Sequence, residues 1–395
     1  MQAGLTGEAL PSSTETFGSS DLPDLRICGF FGKQFGLGEA ARLYARAALL
    51  AGFKVVCHDI RVSLPHGSHA YVDSVNDRPA LVPGAPRVDL LVINPDQLKN
   101  AIESDGKLAR EGAVRIGCWF WELESLPDTW LWAIDYFDGF IVASEFIASA
   151  LRKVTNKRVD VIPLPVIIED HPLARADFGL PAEKYIFMSS FDFHSSVARK
   201  NPLAVIDAFQ EAFPDPSEGV MLLIKTNNGL RFPHQLKALT ERAAGDQRIM
   251  IRDGYISRLG MQSLLNCTDA FLSLHRSEGF GLMLAECMAL GKPVIATGWS
   301  GNLEFMDRNN SHLINYSLVS VEEGQYPESS GQRWANSDRQ DAVVKIRDVY
   351  AGRNQSAEFA AHVRQDTQSR LGMATVGRRM AECISAYQGQ EATIQ

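Results

Sequence analysis

The sequence lacks the cysteine pattern of a disulfide-stabilised or metal-binding protein. Its six cysteines are scattered over 395 residues, with no C-x-x-C pair and no histidine cluster beside them. Because several of them lie in apolar runs, we interpret them as buried free thiols. The pattern therefore predicts a protein of a reducing compartment, the cytoplasm.

Positive charge and long apolar runs are also scarce. The formal net charge is −8, which argues against a nucleic-acid partner held by bulk charge but allows a local basic patch. No apolar run reaches the 18 or so residues that a membrane-spanning helix needs. The first residues are rich in Ser, Thr and Gly and lack the basic start of a signal peptide, so we predict a disordered leader over 1–24.

The most informative stretch runs from His275 to Glu304. An apolar segment at 269–274 predicts a buried strand, the glycines of 277–281 predict a turn, and 282–290 predicts a helix that ends at Gly291. A second strand follows at 293–297. Such a turn directs the free backbone N–H groups of a helix start towards the edge of the sheet, which favours binding of an anion.

Two carboxylates, Glu278 and Glu286, frame this turn and helix. They are eight positions apart, about two helical turns, so both can face one side of the helix. A carboxylate accepts two hydrogen bonds at once, and the pair therefore suits a ligand with hydroxyl groups at both ends and phosphate between them. The alternative is a solvated helix face behind an ordinary glycine turn.

The segment E-G-F-G-L-M-L-A-E from Glu278 to Glu286 resembles the Glu-x7-Glu signature of retaining glycosyltransferases with the GT-B fold, in particular glycosyltransferase family 4. The runs 291–297 and 300–304 continue the resemblance. It implies that Glu278 contacts the transferred sugar and that Glu286 holds the nucleotide ribose. The backbone between them would meet the sugar and diphosphate, at Gly279, Phe280, Gly281 and Leu282.

The length of the chain predicts two domains, each an α/β unit with a parallel sheet between helices. In the first half, strand candidates lie at 25–31, 54–60, 88–94, 115–120, 139–144 and 158–162. The resemblance implies the GT-B fold, with two Rossmann-like domains that face each other across a cleft. We place these domains at 25–170 (acceptor side) and 171–365 (nucleotide-sugar side), joined by a proline-containing hinge, with a helix of 366–395 that returns to the first domain.

A glycine-rich turn with Gly36 and Gly38 follows the first predicted strand. Glycines at such a turn let a backbone approach a phosphate closely, although many tight turns carry them. The spacing is not that of a Walker loop, and it matches a dinucleotide fingerprint only loosely, through Ala41 and Asp59. Its position is similar to that of the N-terminal glycine loop of family 4, which implies that Gly36 and Gly38 contact the donor diphosphate or the reacting sugar.

A basic pair, Arg199 and Lys200, stands just before a predicted helix. Cations beside an electropositive helix start favour a bound anion, although a surface pair would look the same. The family has an Arg-Lys-Gly-like element here, so Lys200 would hold the donor diphosphate. Many relatives end the preceding strand with Gly-Arg, where this chain has Ser190-Phe191. Either Arg199 or Lys225 would then replace the missing arginine.

Four of the six tryptophans lie close together between positions 119 and 132. They can form core and lid packing, because aromatic side chains dominate burial wherever they occur. The segment also leaves a predicted strand at the edge of the cleft, where an aromatic ring can stack on a sugar. We therefore regard Trp121 and Glu122 as acceptor-side candidates. Many relatives place a histidine in this loop, and none is present here, so no catalytic role is carried over.

The resemblance thus implies a retaining hexosyltransferase with Glu278 and Lys200 as its catalytic residues. No D-x-D or other carboxylate cluster is present in the sequence, so we expect no metal and no cofactor beyond the nucleotide diphosphate sugar as co-substrate. The pattern is similar to that of bacterial enzymes of surface polysaccharide synthesis, which suggests GDP-mannose as donor, a glycan or lipid-linked acceptor, and peripheral association with the inner face of the membrane.

Three other functions remain open. A non-catalytic sugar-nucleotide-binding protein would keep the fold but would not need both glutamates together with Lys200. A nicotinamide oxidoreductase would use the Gly36–Gly38 turn and would leave Glu278 and Glu286 unexplained. A nucleotide-sugar epimerase or phosphorylase would share the fold and would act without an acceptor or with free phosphate.

Overall fold

The computed structural model describes residues 22, 24–62, 87–105, 108, 112–169, 172–354 and 356–391. The strands are β1 Asp24–Gly29, β2 Lys54–Asp59, β3 Arg87–Val92, β4 Val114–Cys118, β5 Gly139–Val142, β6 Arg158–Val161, β7 Tyr185–Asp192, β8 Val220–Asn227, β9 Ile249–Asp253, β10 Ala270–Ser273, β11 Val294–Thr297, β12 His312–Ile314, β13 Tyr316–Ser320 and β14 Arg333–Ser337. The α-helices are α1 Gly36–Leu50, α2 Pro95–Ser104, α3 Glu145–Arg152, α4 Val197–Lys200, α5 Pro202–Ala212, α6 Pro233–Ala243, α7 Arg258–Cys267, α8 Leu282–Ala289, α9 Arg339–Ala351, α10 Ser356–Leu371 and α11 Met373–Glu391.

The first half of the chain forms a six-stranded sheet in the order β2-β1-β3-β4-β5-β6, with every neighbouring pair parallel. Its central strands are buried and apolar, as expected for a sheet covered on both faces. The strand order reverses between β1 and β3. The loops that follow these two strands therefore diverge, and they leave a crevice at the carboxyl edge of the sheet.

The second half forms another parallel six-stranded sheet, in the order β12-β11-β10-β7-β8-β9. Here the order reverses between β7 and β10, and the crevice lies where the loops after these strands separate. The loop after β7 contains Arg199 and Lys200, and the loop after β10 contains Glu278. The topology therefore brings two distant parts of the sequence to one sheet edge.

Helices cover both sheets. In the second half, α5 and α9 pack on one face through a cluster that includes Phe187, Phe209 and Ile346. The last helix, α11, packs against α1, and the Tyr387 hydroxyl lies 3.4 Å from the Arg158 carbonyl oxygen at the end of the first sheet. The chain thus crosses back to its first half after completing the second sheet.

The six strands predicted in the first half are confirmed, with ends that differ by two residues or fewer. The strands and helix predicted around His275 to Glu304 are confirmed too. A small antiparallel pair, β13 with β14, was not predicted. Asp338, directly after β14, caps α9 by accepting from the Asp341 amide at 3.0 Å.

Two further predictions concern the ends and the membrane. The leader predicted over 1–24 falls almost wholly outside the described residues, and the domain limits given above stay predictions. Within the described ranges, no helix combines the length and the apolar character that crossing a membrane requires.

Candidate functional site

The two crevices face each other across a cavity of about 460 Å3. One wall comes from the loops after β1, β3 and β4 of the first sheet, and the other from the loops after β7 and β10 of the second. Lining residues from the first half include Phe35, Gly36, Leu37, Asn94, Gln97, Phe120 and Glu122. Those from the second half include Ser190, Asp192, His194, Ser196, Arg199, Lys200, Glu278, Gly279, Phe280, Gly281, Leu282 and Tyr326.

The turn that carries Glu278 is fixed by contacts on both sides. Gly281 starts α8 with φ 92°, a left-handed conformation that glycine adopts at little cost. The Glu278 amide donates to Ser300 Oγ at 2.8 Å, and Ser144 Oγ of the first half donates to the Gly279 carbonyl at 2.6 Å. Gly301 packs so closely on Gly279 that a Cβ there would collide with its carbonyl oxygen. The turn is therefore held rigidly at the start of α8.

Arg199 and Lys200 reach the cavity from α4, a single helical turn. The residues on either side of it, Ser196 and Asn201, have φ 63° and 53°, which is unusual for residues other than glycine. Ser196 also caps the turn by accepting from the Arg199 amide at 3.3 Å. Backbone strain of this kind tends to persist at functional sites, where the surrounding structure fixes it.

The two cations hold the carboxylate of Glu278. Lys200 Nζ lies 2.5 Å from Glu278 Oε1, and Arg199 Nη1 lies 3.2 Å from Oε2. Arg199 also donates to the Ser277 carbonyl at 2.8 Å, and its Nη2 lies 3.7 Å from Glu122 Oε1. Four charged side chains thus form one largely buried cluster at the cavity wall.

Burial alone would raise the pKa of Glu278, but Lys200 and Arg199 outweigh burial and hold it at about 2. Burial lowers the pKa of Lys200, and Glu278 opposes that effect. Burial also acts to lower the pKa of Arg199, whereas Glu122 and Glu278 raise it. Glu278 is therefore a carboxylate near neutral pH, able to accept hydrogen bonds and unable to donate a proton.

His275 lies beneath this cluster, fully buried. Its Nδ1 lies 3.0 Å from Ser273 Oγ and its Nε2 lies 3.2 Å from Asn302 Oδ1. Burial lowers the pKa of His275 to about 4, so the ring is neutral near pH 7. We interpret it as a support for the turn, since it does not line the cavity.

The acceptor-side candidates occupy different positions. Glu122 lines the cavity, and the Tyr326 hydroxyl donates to its Oε2. Trp121 is buried behind it, with Nε1 donating to the Ser125 carbonyl at 2.7 Å and its ring 4.9 Å from that of Trp130. The structure therefore brings Glu122 to the charged cluster and gives Trp121 a packing position.

Of the two glycines in the first loop, Gly36 lines the cavity and Gly38 does not. A Cβ on Gly38 would lie 2.5 Å from the Lys33 carbonyl oxygen and 2.6 Å from that of Phe30. Gly38 thus allows the turn itself to pack, whereas the space around Gly36 is open. The donor-binding roles predicted for them stay predictions, with only Gly36 at the cavity surface.

Glu286 lies away from the cavity wall. It is 4% exposed, and its Oε1 accepts from Arg258 Nη2 at 3.1 Å. Arg258 Nη1 also pairs with Glu39 of α1, so this group links the two halves of the protein. Burial raises the pKa of Glu286, and Arg258 only partly opposes that effect.

Lys225 also lies outside the cavity. Its ammonium donates to the Thr226 carbonyl at 2.8 Å, to Asn227 Oδ1 at 2.9 Å and to the Gly254 carbonyl. Burial lowers its pKa to about 8. Between the two residues named as substitutes for the missing arginine, Arg199 is the one placed beside Glu278 and Lys200.

The sequence reasoning missed Tyr326 and Ser300. Tyr326 lies in the loop between β13 and β14, and its hydroxyl reaches Glu122 across the cleft. An aromatic residue within the polar run E-E-G-Q-Y-P-E was the available signal. Ser300 has φ 82° and accepts from the Glu278 amide, a contact that no sequence pattern indicated.

A metal site was not expected. Within the described ranges, no group of three or more His, Cys, Asp or Glu side chains is arranged to hold a metal ion.

Comparison with known families gives one match. Residues 185–323 match the family described as "Glycosyl transferases group 1". This segment contains the connections after β7 and β10, which carry Arg199, Lys200 and Glu278. It also contains β13, the strand that precedes the loop with Tyr326. Among curated proteins, none matches this sequence.

Solved structures resemble the whole fold. Sucrose-phosphate synthase from Thermosynechococcus elongatus is 15% identical, with a TM-score of 0.65. The match covers 94% of this chain and 99% of the synthase. Anabaena Alr3699/HepE in complex with UDP and glucose is 14% identical, with a TM-score of 0.63. That match covers 92% of this chain and 100% of HepE. TarM from S. aureus, in complex with UDP and other ligands, has 14% identity and a TM-score of 0.56.

The match with TarM covers 75% of this chain and 55% of TarM, so this chain spans about half the length of that protein. Together with the two parallel sheets and the cleft between them, these similarities establish the fold as GT-B, with two Rossmann-like domains that face each other. The predicted fold class is confirmed.

Proposed function

We propose that the protein is a retaining glycosyltransferase that moves a hexose from a nucleotide diphosphate sugar to a hydroxyl group of a glycan or lipid-linked acceptor. The observation that carries this proposal is the cluster of Glu278, Lys200 and Arg199 at the start of α8, inside the cleft. The group 1 match over the same residues supports it. So does the GT-B fold shared with structures that hold UDP and a sugar.

The chemical difficulty of such a transfer is the negative charge that develops on the departing diphosphate. The ammonium of Lys200, the guanidinium of Arg199 and the first N–H groups of α8 would stabilise that charge. These groups supply positive charge without a metal ion, so we propose a metal-independent reaction. Lys200 is paired with Glu278 at 2.5 Å, and an entering diphosphate would offer it a second anionic partner.

Glu278 would act on the sugar. Its carboxylate stays ionised because its pKa is about 2, so it would accept hydrogen bonds from sugar hydroxyls and stabilise positive charge at the ring. The bond between the anomeric carbon and the phosphate oxygen breaks while the acceptor oxygen attacks from the same face. The acceptor proton passes to the departing phosphate oxygen, and the anomeric configuration is retained.

For the donor we propose GDP-mannose, because the sequence is similar to that of enzymes of bacterial surface polysaccharide synthesis. UDP-glucose is the second candidate, because HepE, with a TM-score of 0.62, was solved with it bound. We also propose that the protein works in the cytoplasm at the inner face of the membrane, where lipid-linked acceptors are extended.

Thermal unfolding in the presence of GDP-mannose, UDP-glucose or NADH tests this proposal. A ligand present at 100 times its Kd stabilises a protein by about 2.7 kcal/mol, which gives a clear rise in Tm. We expect one nucleotide sugar to raise the Tm and NADH to leave it unchanged. Product formation with an acceptor, followed by NMR of the anomeric proton, would then establish transfer and retention.

Stabilisation by NADH alone would favour the oxidoreductase and contradict the proposal. Binding of a nucleotide sugar without transfer to any acceptor would favour the non-catalytic binding protein. Conversion of the donor without an acceptor, or only with free phosphate, would favour the epimerase or phosphorylase.

A further inference from the structure

A second groove, of about 510 Å3, opens beside the cavity on the side of the first domain. It lies between α2, the segment 120–132 and the loop before β14. Its volume is within the usual range of small-molecule sites, about 300–1,000 Å3. The groove and the cavity share five lining residues, Asn94, Phe120, Glu122, Tyr326 and Pro327. A molecule bound in the groove would therefore extend directly to the charged cluster.

Aromatic rings form one wall of this groove. Trp132 lines it and is 48% exposed, so core packing does not account for this large side chain. Trp130 and Trp121 also line the groove but are mostly buried, with ring centres 4.9 Å apart, and Trp121 lies 5.5 Å from the ring of Tyr326. A rigid aromatic wall with one accessible indole suits stacking against the apolar face of a ring.

Hydrogen-bonding groups also line the groove. Asn100 on α2 and Thr129 line the groove, and both are exposed. Within the part of the chain that the structure describes, the side chains of Asn100, Thr129 and Glu328 make no hydrogen bond to another residue. An amide, a hydroxyl and carboxylates in one groove with an indole suit a polyhydroxylated ring.

The charges of the groove decide between acceptor classes. Its lining contains three carboxylates, Asp96, Glu122 and Glu328, and one ammonium group, Lys99. Burial raises the pKa of Asp96, Glu122 is paired with Arg199 at 3.7 Å, and Glu328 and Lys99 balance each other, so the described residues of the groove carry no excess of positive charge. Such a lining offers a phosphate or carboxylate group no excess of positive charge, whereas its polar side chains can bind neutral hydroxyl groups.

We propose that this groove binds an uncharged saccharide as the acceptor, with a sugar ring stacked on Trp132 and the reacting hydroxyl directed past Glu122 into the cavity. The inference rests on the proposed glycosyl transfer and names its acceptor class. The groove accommodates the neutral end of a glycan. It gives a phosphate, such as that of a polyprenyl phosphate, no excess of positive charge to bind.

Saturation-transfer NMR on the full chain tests the inference directly. The probes are methyl α-mannopyranoside, methyl β-glucopyranoside and, as the phosphorylated counterpart, citronellyl phosphate. We expect signals from at least one hexoside and none from citronellyl phosphate. The hexoside signals should fall at least fivefold in Trp132→Ala and remain in Tyr316→Ala, a matched control that removes a 41% exposed aromatic ring outside the groove.

A second variant, Asn100→Trp, fills the groove from an exposed position on α2 and should also abolish the hexoside signals. This keeps the test valid if Trp132→Ala lowers the Tm. Binding of citronellyl phosphate in preference to both hexosides would overturn the inference. So would the absence of hexoside signals, or their persistence in both groove variants.

Donor binding is measured separately by thermal unfolding in the same variants. If hexosides bind in the groove but no nucleotide sugar stabilises the protein, the proposed function fails and the saccharide-binding groove stands. If a nucleotide sugar binds but no hexoside does, the inference fails alone. If the groove variants also lose donor stabilisation, the groove belongs to the donor and the inference is wrong.

Discussion

Glu278 and Glu286 form a pair in the sequence, but the structure gives them opposite surroundings. Both are buried, at 9% and 4% exposure, and one stands before α8 while the other lies within it. Glu278 contacts two cations, Lys200 and Arg199, on the cavity wall. Glu286 contacts one, Arg258, which it shares with Glu39 of the other domain.

Burial acts on both carboxylates in the same direction, so the difference between their pKa values comes from the number of neighbouring cations. Burial raises the pKa of both, yet the pKa of Glu278 falls to about 2 and that of Glu286 rises. Around Glu278 the acidic and basic groups balance. Around Glu286 the only cation in direct contact, among the described residues, is Arg258, and Arg258 is shared with Glu39, which Arg42 also pairs. The ribose-binding role implied for Glu286 stays a prediction.

The largest difference between the two regions should appear in the transfer rate. We expect Lys200→Ala to lower kcat by about 100- to 1,000-fold, the usual effect of removing one group that stabilises transition-state charge. Arg258→Ala, the matched change beside Glu286, should leave kcat within about tenfold, because Arg258 does not line the cavity. Steady-state transfer assays measure both.

Equal losses of kcat in Lys200→Ala and Arg258→Ala would contradict the different roles assigned to the two regions. Lys237→Ala serves as the control, since Lys237 is an exposed lysine on α6 outside the cavity. Its kcat should equal that of the unchanged protein.

A second difference should appear in the dependence of stability on pH. The pKa of Glu278 drops from an ordinary 4.5 to about 2 on folding, which corresponds to at most about 3 kcal/mol. This stability is present above pH 4.5 and is lost as the pH falls towards 2. Glu278→Gln should therefore unfold more easily at pH 7, and the deficit should shrink at low pH.

Glu286 changes the stability with pH in the opposite direction. Because its pKa is raised, the folded state binds more protons than the unfolded one, and its contribution falls as the pH rises from 4.5 through its folded pKa. Glu286→Gln should remove that fall, and it should cost less stability at pH 7 than Glu278→Gln does. Unfolding in urea at pH 4 and 7 measures both variants. A larger deficit for Glu286→Gln at pH 7 would contradict our assignment of the two sites.

The smallest effect concerns donor binding. We expect Glu286→Ala to raise the Kd of the nucleotide sugar by about tenfold, near 1.4 kcal/mol, because a hydrogen bond to a charged group is lost. Its kcat should change little. Isothermal titration of the donor measures the Kd. An unchanged Kd would remove Glu286 from the donor site and leave it as a link between Arg258 and Glu39.

Much of the fold could be predicted because its strands are continuous apolar runs between turn residues. The segment 88–94 and the run before His275 are examples, and both proved to be central strands. The hairpin of β13 and β14 was missed because β14 has only two adjacent apolar residues, Trp334 and Ala335, between polar ones. The position of β14 depends on pairing with β13 and on the Ala335 amide, which donates to the Arg276 carbonyl at 2.9 Å.

The sequence by itself determined the two α/β halves and the local elements of the site: a glycine turn before a helix, and a basic pair after a strand. These are short-range features, since the chain geometry within a few residues fixes them. Only the tertiary structure decided that Lys200 meets Glu278 across 78 positions, that Tyr326 reaches Glu122, and that Lys225 and Glu286 lie away from the cavity wall. Strand order and the approach of the two domains set those distances, and neither is encoded in the spacing of a motif.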